Sequence, residues 1–239
     1  MMDKKDLFLS ATLKTGTLFD LSQHRYPTIV YAWKNSSLSI PQTTPSSSFM
    51  GFIFKGETEL QAQHNSYRLK SRQYFCLNED FSVSGGEGII IANLNFHGFN
   101  CLGGPLEKSG RLAYIDGCTD SLLVPPVKFG DPCLNALYFP ASISQTQHTH
   151  PSIRIGMVVA GGGKCITPNS TTELTPGLVF VIEENGLHSF HTDNHVSLTV
   201  VAYHPDSDFG PKDDCHPMIN RTMVNGESAA NIPEIQTQK

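Results

Sequence analysis

Sliding this chain along itself by 105 residues lays residues 37–84 over 142–189, and eleven of the 48 paired positions are identical. Composition alone would give roughly three. Turn glycines and apolar runs coincide as well as identities. Gly51-Phe52-Ile53-Phe54-Lys55-Gly56 falls on Gly156-Met157-Val158-Val159-Ala160-Gly161, and Phe75 falls on Phe180. Phe96-His97-Gly98 matches Tyr203-His204-Pro205 after a further two-residue shift. A chain that repeats itself in this way is expected to fold twice into one kind of unit, each of about 90 residues.

The unit is a β unit. Thr28-Ile29-Val30-Tyr31-Ala32-Trp33 is rich in β-branched and aromatic residues, as strands are. Phe49–Phe54, the turn Lys55-Gly56-Glu57 and Thr58–Ala62 read as a hairpin around a glycine. Further strands are expected at 74–77, 88–96, 133–139, 153–160, 164–167, 178–182 and 195–203, with a short one at Leu122-Leu123-Val124. Helical periodicity is not evident outside the termini. The resulting division is an N-terminal lead-in over 1–27, a first barrel over 28–105 and a connecting segment over 106–134. A second barrel over 135–205 and a tail over 206–239 complete it, the last residues from about 226 being frayed.

Charge and composition exclude several partners. The net charge is −5 and no lysine or arginine cluster exists, which argues against nucleic acid or an acidic membrane surface. No apolar run approaches the roughly 18 residues of a membrane span. The start, Met1-Met2-Asp3-Lys4-Lys5-Asp6-Leu7, lacks a signal-peptide core, so a cytoplasmic location is expected. The six cysteines are irregularly spaced, without a CxxC pair, and are expected to be free thiols.

The chemistry concentrates in the second unit. His148 and His150 are separated by one residue, which on extended chain puts both imidazoles on one face. With His188 they would form a transition-metal site, and Arg154 shares their parity. The repeat supplies a control. Opposite His148, His150, Arg154 and His188 the first unit has Thr43, Pro45, Phe49 and Val83, so these residues are not needed merely to fold the unit. His204 has an apparent counterpart in His97 and reads as structural. His191, three residues past His188, has the wrong parity for a ligand, and Asp213-Asp214-Cys215-His216 reads as a solvated loop. Tyr138 and Phe190 are candidate pocket walls, with Tyr138 also a candidate acid or hydrogen-bond donor.

These residues resemble the two motifs of the cupin superfamily. The first, G-x5-H-x-H-x3–4-E-x6-G, is met by Ser142, His148, His150, Arg154 and Gly161. The second, G-x5-P-x-G-x2-H-x3-N, is met by Gly177, Glu183, Asn185, His188 and Thr192. The three histidines, Gly161 and Gly177 fit in type and spacing; the other five positions depart. With the repeat, the resemblance implies an all-β bicupin, two tandem jelly-roll barrels, with metal ligands His148, His150 and His188. It implies a divalent transition metal, Fe(II) foremost and Zn, Ni or Mn as alternatives, and a small-molecule ligand. A homodimer is expected by the same analogy.

Arg154 stands where cupins commonly place a carboxylate ligand. Always cationic, arginine cannot ligate. The resemblance leaves three readings open: a three-histidine oxygenase, Arg154 forking an anionic substrate, or Arg154 paired with an acid such as Glu183 or Glu184 beside a weak or absent metal. A small-molecule dioxygenase with catalytic Arg154 and Tyr138 is the leading expectation. A non-catalytic sensor or an isomerase is the alternative.

Overall fold

The computed structural model describes residues 7–42, 46–212 and 222–236. These form an all-β structure: among the described residues the only helical turns are short 3-10 turns such as Ile115–Gly117. No helix is long and apolar enough to cross a membrane.

Two pairs of sheets carry the chain. In the first pair, a six-stranded sheet runs in the order Cys101–Gly103, Tyr74–Leu77, Ser48–Lys55, Glu87–Asn93, Thr28–Lys34 and Gly16–Leu21. It faces a four-stranded sheet of Ser37–Ile40, Phe81–Ser84, Glu57–Ala62 and Ser66–Lys70. Trp33, Phe49, Ile53, Leu60, Phe75 and Ile90 fill the space between them. In the second pair, a seven-stranded sheet runs in the order Phe8–Thr12, Leu178–Ile182, Arg154–Gly161, Leu198–His204, Cys133–Phe139, Thr119–Val124 and Leu112–Ala113. It faces Thr171–Leu174, Gly163–Ile166 and Ser189–His191, around a core that includes Leu137, Phe139, Val158, Phe180 and Val200.

Strand order repeats between the two pairs. Ser48–Lys55 lies between Tyr74–Leu77 and Glu87–Asn93, as Arg154–Gly161 lies between Leu178–Ile182 and Leu198–His204. A third cluster, with Val30, Met50, Phe52, Ile89, Leu134, Ile155, Met157 and Tyr203, draws residues from both large sheets. These strands are therefore apolar on both faces, and Ser48–Lys55 is buried over its first six residues. The small sheets cover one side only, so Glu57–Ala62 alternates between exposed and buried.

The expected hairpin around Gly56 is not one. Ser48–Lys55 and Glu57–Ala62 belong to different sheets and do not pair with each other. Gly56, at φ +80°, turns the chain from the large sheet to the small one, and Gly161, at φ +75°, does the same in the second pair. A side chain at Gly161 would also meet the Ser197 carbonyl oxygen at 1.7 Å.

Pairing crosses the segment limits read from the sequence. The lead-in gives Gly16–Leu21 to the first large sheet but Phe8–Thr12 to the second, where it pairs with Leu178–Ile182. The 106–134 stretch includes the strand Thr119–Val124, paired with Cys133–Phe139. The tail carries a small hairpin, Met223–Val224 with Glu227–Ser228. Asp213, Asp214, Cys215 and His216 lie outside the described residues. None of the other five cysteines, Cys76, Cys101, Cys118, Cys133 and Cys165, forms a disulfide among the described residues.

Candidate metal centre

The second sheet pair brings His148, His150 and His188 together, each offering one nitrogen, with all three ligand atoms within 4.8 Å of one another. Ring centroids are 4.5 Å apart for His148 and His188, 5.1 Å for His148 and His150, and 5.2 Å for His150 and His188. Local backbone pairing sets this arrangement. His148 and His188 form an isolated antiparallel bridge, each N–H donating to the other's carbonyl at 2.9 and 3.0 Å. The Asn185 N–H, at a left-handed turn residue with φ +59°, donates to the His150 carbonyl.

Ring orientation is fixed by the same chain. His148 Nδ1 lies 3.0 Å from the Thr146 carbonyl oxygen, and His188 Nδ1 lies 2.8 Å from that of Gly186. A carbonyl only accepts, so each Nδ1 carries a proton, and in the neutral ring the lone pair is on Nε2. This is the tethering that metal-binding histidines use. Burial, with Arg154, His188 and His148 alongside, pushes His150 down to about 3. Burial also lowers His188 to about 4, partly opposed by its bond to the Gly186 carbonyl. Both imidazoles are neutral near pH 7, the state a ligand needs.

Arg154 faces the same cavity and is buried. Its partner is neither Glu183 nor Glu184. Nη1 donates to Ser152 Oγ, to the Ile153 carbonyl at 3.0 Å and to Asp206 Oδ1 at 3.2 Å. Ser152 Oγ donates to the same Asp206 oxygen. Nε of Arg154 is buried without a partner, leaving part of the fork uncommitted.

Tyr138 is not in the cavity. Leu137 and Phe139 line it, so the residue between them faces the other side of the sheet. Tyr138 belongs to the cluster between the large sheets and donates to the Glu107 carbonyl at 3.1 Å. Phe190 does line the cavity. His191 bonds to Ser144 and Ser189 through its two ring nitrogens and stands apart from the three histidines.

Sequence reasoning missed His204, Gln145 and Tyr114, all of which line the cavity. His204 is held well below the usual imidazole range by burial, with Arg154 and His150 adding to it. Its match to His97 does not hold. Ile90 pairs with Gly51 and Ala202 pairs with Gly156, so the correspondence in this strand sets His204 against Ala92, while His97 is exposed beyond the strand end. Gln145 Oε1 accepts from the Phe190 N–H at 3.1 Å, which a buried amide needs to do with something.

Solved structures similar to this one carry the same architecture. A cupin 2 conserved barrel domain protein from Leptotrichia buccalis aligns with a TM-score of 0.55 at 12% identity, covering 83% of this chain and 89% of that one. A glyoxylate-induced protein from Pseudomonas aeruginosa aligns at 0.61 and 11% identity, covering 87% and 83%. The fold is a cupin fold. Salicylate 1,2-dioxygenase from Pseudaminobacter salicylatoxidans is another cupin-fold neighbour, at 0.57 and 12% identity over 74% of this chain and 70% of that one. The AraC-like ligand binding domain family matches residues 130–214, the part of this cupin fold that holds the three histidines. Comparison with curated protein sequences returned no match.

Proposed function

We propose that the chain is a bicupin whose second barrel, about residues 135–205, holds one divalent transition metal on His148, His150 and His188 and oxidises a small anionic molecule with O₂. The observation that carries this is the convergence of three imidazoles, with one ligand nitrogen from each within 4.8 Å of the others and the Nδ1 groups of His148 and His188 spent on carbonyls. Three neutral nitrogen donors suit Fe(II) foremost, with Zn, Ni or Mn as alternatives. A metal bound there would supply Lewis acidity and open positions for substrate and O₂.

The protein's own residues do the rest. Arg154, with Nη1 locked to Asp206 and Nε uncommitted, presents a fixed cationic edge to an anionic oxygen of the substrate. Phe139, Phe180 and Phe190 line the cavity with apolar rings around the polar cluster. Tyr138 takes no part. The first barrel, about 28–105, lacks equivalent ligands and acts as a packing partner through the cluster between the large sheets. The likeness to a salicylate dioxygenase supports the fold on which such chemistry occurs.

The match to a ligand-binding domain family favours a second reading, in which the same pocket senses a small molecule without turning it over. Oxygen uptake with Fe(II)-loaded protein, across small carboxylates, thiols and diketones, separates the two. Consumption abolished by His188→Ala supports the oxygenase. Silence across the panel with metal bound supports the sensor.

A further inference from the structure

The cavity at the imidazoles measures about 30 Å³, room for a water-sized group. Anything larger that meets the histidines must occupy space beside it. A groove of about 430 Å³ provides that space, lined by Leu7, Phe8, Thr167, Asn169 and Leu187 among others. Ile182 and His188 line both the groove and the histidine cavity.

Strand pairing relates the groove to Arg154. Phe8 lies opposite Ile182, and Ile182 lies opposite Arg154. Directly opposed side chains share a face with Cβ atoms about 5 Å apart, so one row runs from Phe8 across Ile182 to Arg154, which lines the histidine cavity. The Phe8 ring also stacks on Phe180, which lines the histidine cavity, with centroids 5.4 Å apart. Leu187 is 37% exposed although its neighbour His188 is 1% exposed, so an apolar side chain meets solvent at the rim of the groove. Among the described residues that line the groove, none is charged.

We infer that the groove holds the uncharged, apolar body of a monocarboxylate whose head turns past His188 toward Arg154. The N-terminal strand Phe8–Thr12, borrowed from the far end of the sequence, then sets which bodies fit. This rests on the role proposed above for Arg154 and adds the chemistry of the rest of the molecule. A mostly apolar wall with no charged side chain among the described residues suits an alkyl or aryl group better than a second charge, and the cation at the end of the row selects the carboxylate.

Isothermal titration of the full chain with acetate, hexanoate and hexanamide tests it, with and without added Fe(II) and with metal content measured on each sample. Hexanoate should bind about tenfold or more tightly than acetate and hexanamide. In Leu187→Ser, a rim substitution that spares the core, and separately in Phe8→Ala, the hexanoate advantage over acetate should fall to about threefold or less. Equal binding of acetate and hexanoate, an advantage that survives both substitutions, or hexanamide binding as tightly as hexanoate would overturn the inference. A chain that takes up no metal yet keeps the hexanoate pattern would refute the metal centre while leaving the groove standing.

Discussion

Replacing Asp206 with asparagine isolates the charge that compensates Arg154. The substitution keeps the shape and an acceptor oxygen for Ser152 while removing the negative charge. Arg154 is nearly buried, its side chain 7% exposed, and Asp206 is 25% exposed. Breaking a fully buried ion pair by losing one partner costs about 3–5 kcal/mol. The partial exposure of Asp206 lets water replace some of what is lost, so about 2–3 kcal/mol is expected. At this chain length each kcal/mol moves Tm by about 2–4 °C, giving a fall of about 5–10 °C by calorimetry at pH 7. The companion variants are Arg154→Met and the double substitution. If the loss comes from an uncompensated buried cation, Asp206→Asn should cost little once Arg154 is methionine. A Tm shift under about 2 °C, or strictly additive single and double variants, would refute the claim that Asp206 neutralises Arg154.

Two further outcomes follow from named groups. Asp120 is pushed up to about 6, chiefly by burial, against hydrogen bonds from Asn135 and the Ser121 N–H. Its folded form holds a proton more tightly than the unfolded chain, so its stabilising share is complete below about 4 and lost as pH rises through about 6. Asp120→Asn should therefore gain Tm over the wild type progressively across that window, and a Tm difference flat with pH would contradict the assignment. Tyr138→Phe removes only a bond to the Glu107 carbonyl on the far face of the sheet, and should leave metal uptake and any oxygen consumption within about twofold of wild type. A loss of about tenfold or more in either would return Tyr138 to the site.

Much of this was legible in residue order because the signals are local. His148 and His150 are one residue apart on extended chain, and His188 sits at a fixed distance from a turn glycine. The repeat reading also had a physical basis in cross-strand pairs. Gly51 lies opposite Phe75 and Gly156 opposite Phe180, each glycine leaving room for the ring across from it, with a Cβ at either position 2.1 Å from a ring carbon. What escaped depended on register and on distant segments. The offset is 105 at Gly51 and Gly156 but 112 by Ile90 and Ala202, because the second unit has a longer path before its last strand. A further shift of two residues, where the register calls for seven, therefore matched His204 to the wrong residue. Tyr138 lies in a strand buried on both faces, Cys133–Phe139, where an unbroken apolar run carries no sign of which side is the cavity. Asp206 lies past the last strand of the sheet, and nothing in its neighbourhood announces that it answers Arg154. The pairing of Phe8–Thr12 with Leu178–Ile182 is equally silent, since partners so far apart in the chain leave no periodic mark.

Metal content by mass spectrometry, on protein expressed in iron-supplemented cells and purified without chelator, decides whether the three imidazoles hold an ion. About one equivalent of a divalent transition metal per chain is expected, falling below about a tenth in His148→Ala and His188→Ala while far-ultraviolet circular dichroism stays unchanged. Less than about a tenth of an equivalent in the wild-type protein, before and after anaerobic reconstitution with Fe(II), would contradict it.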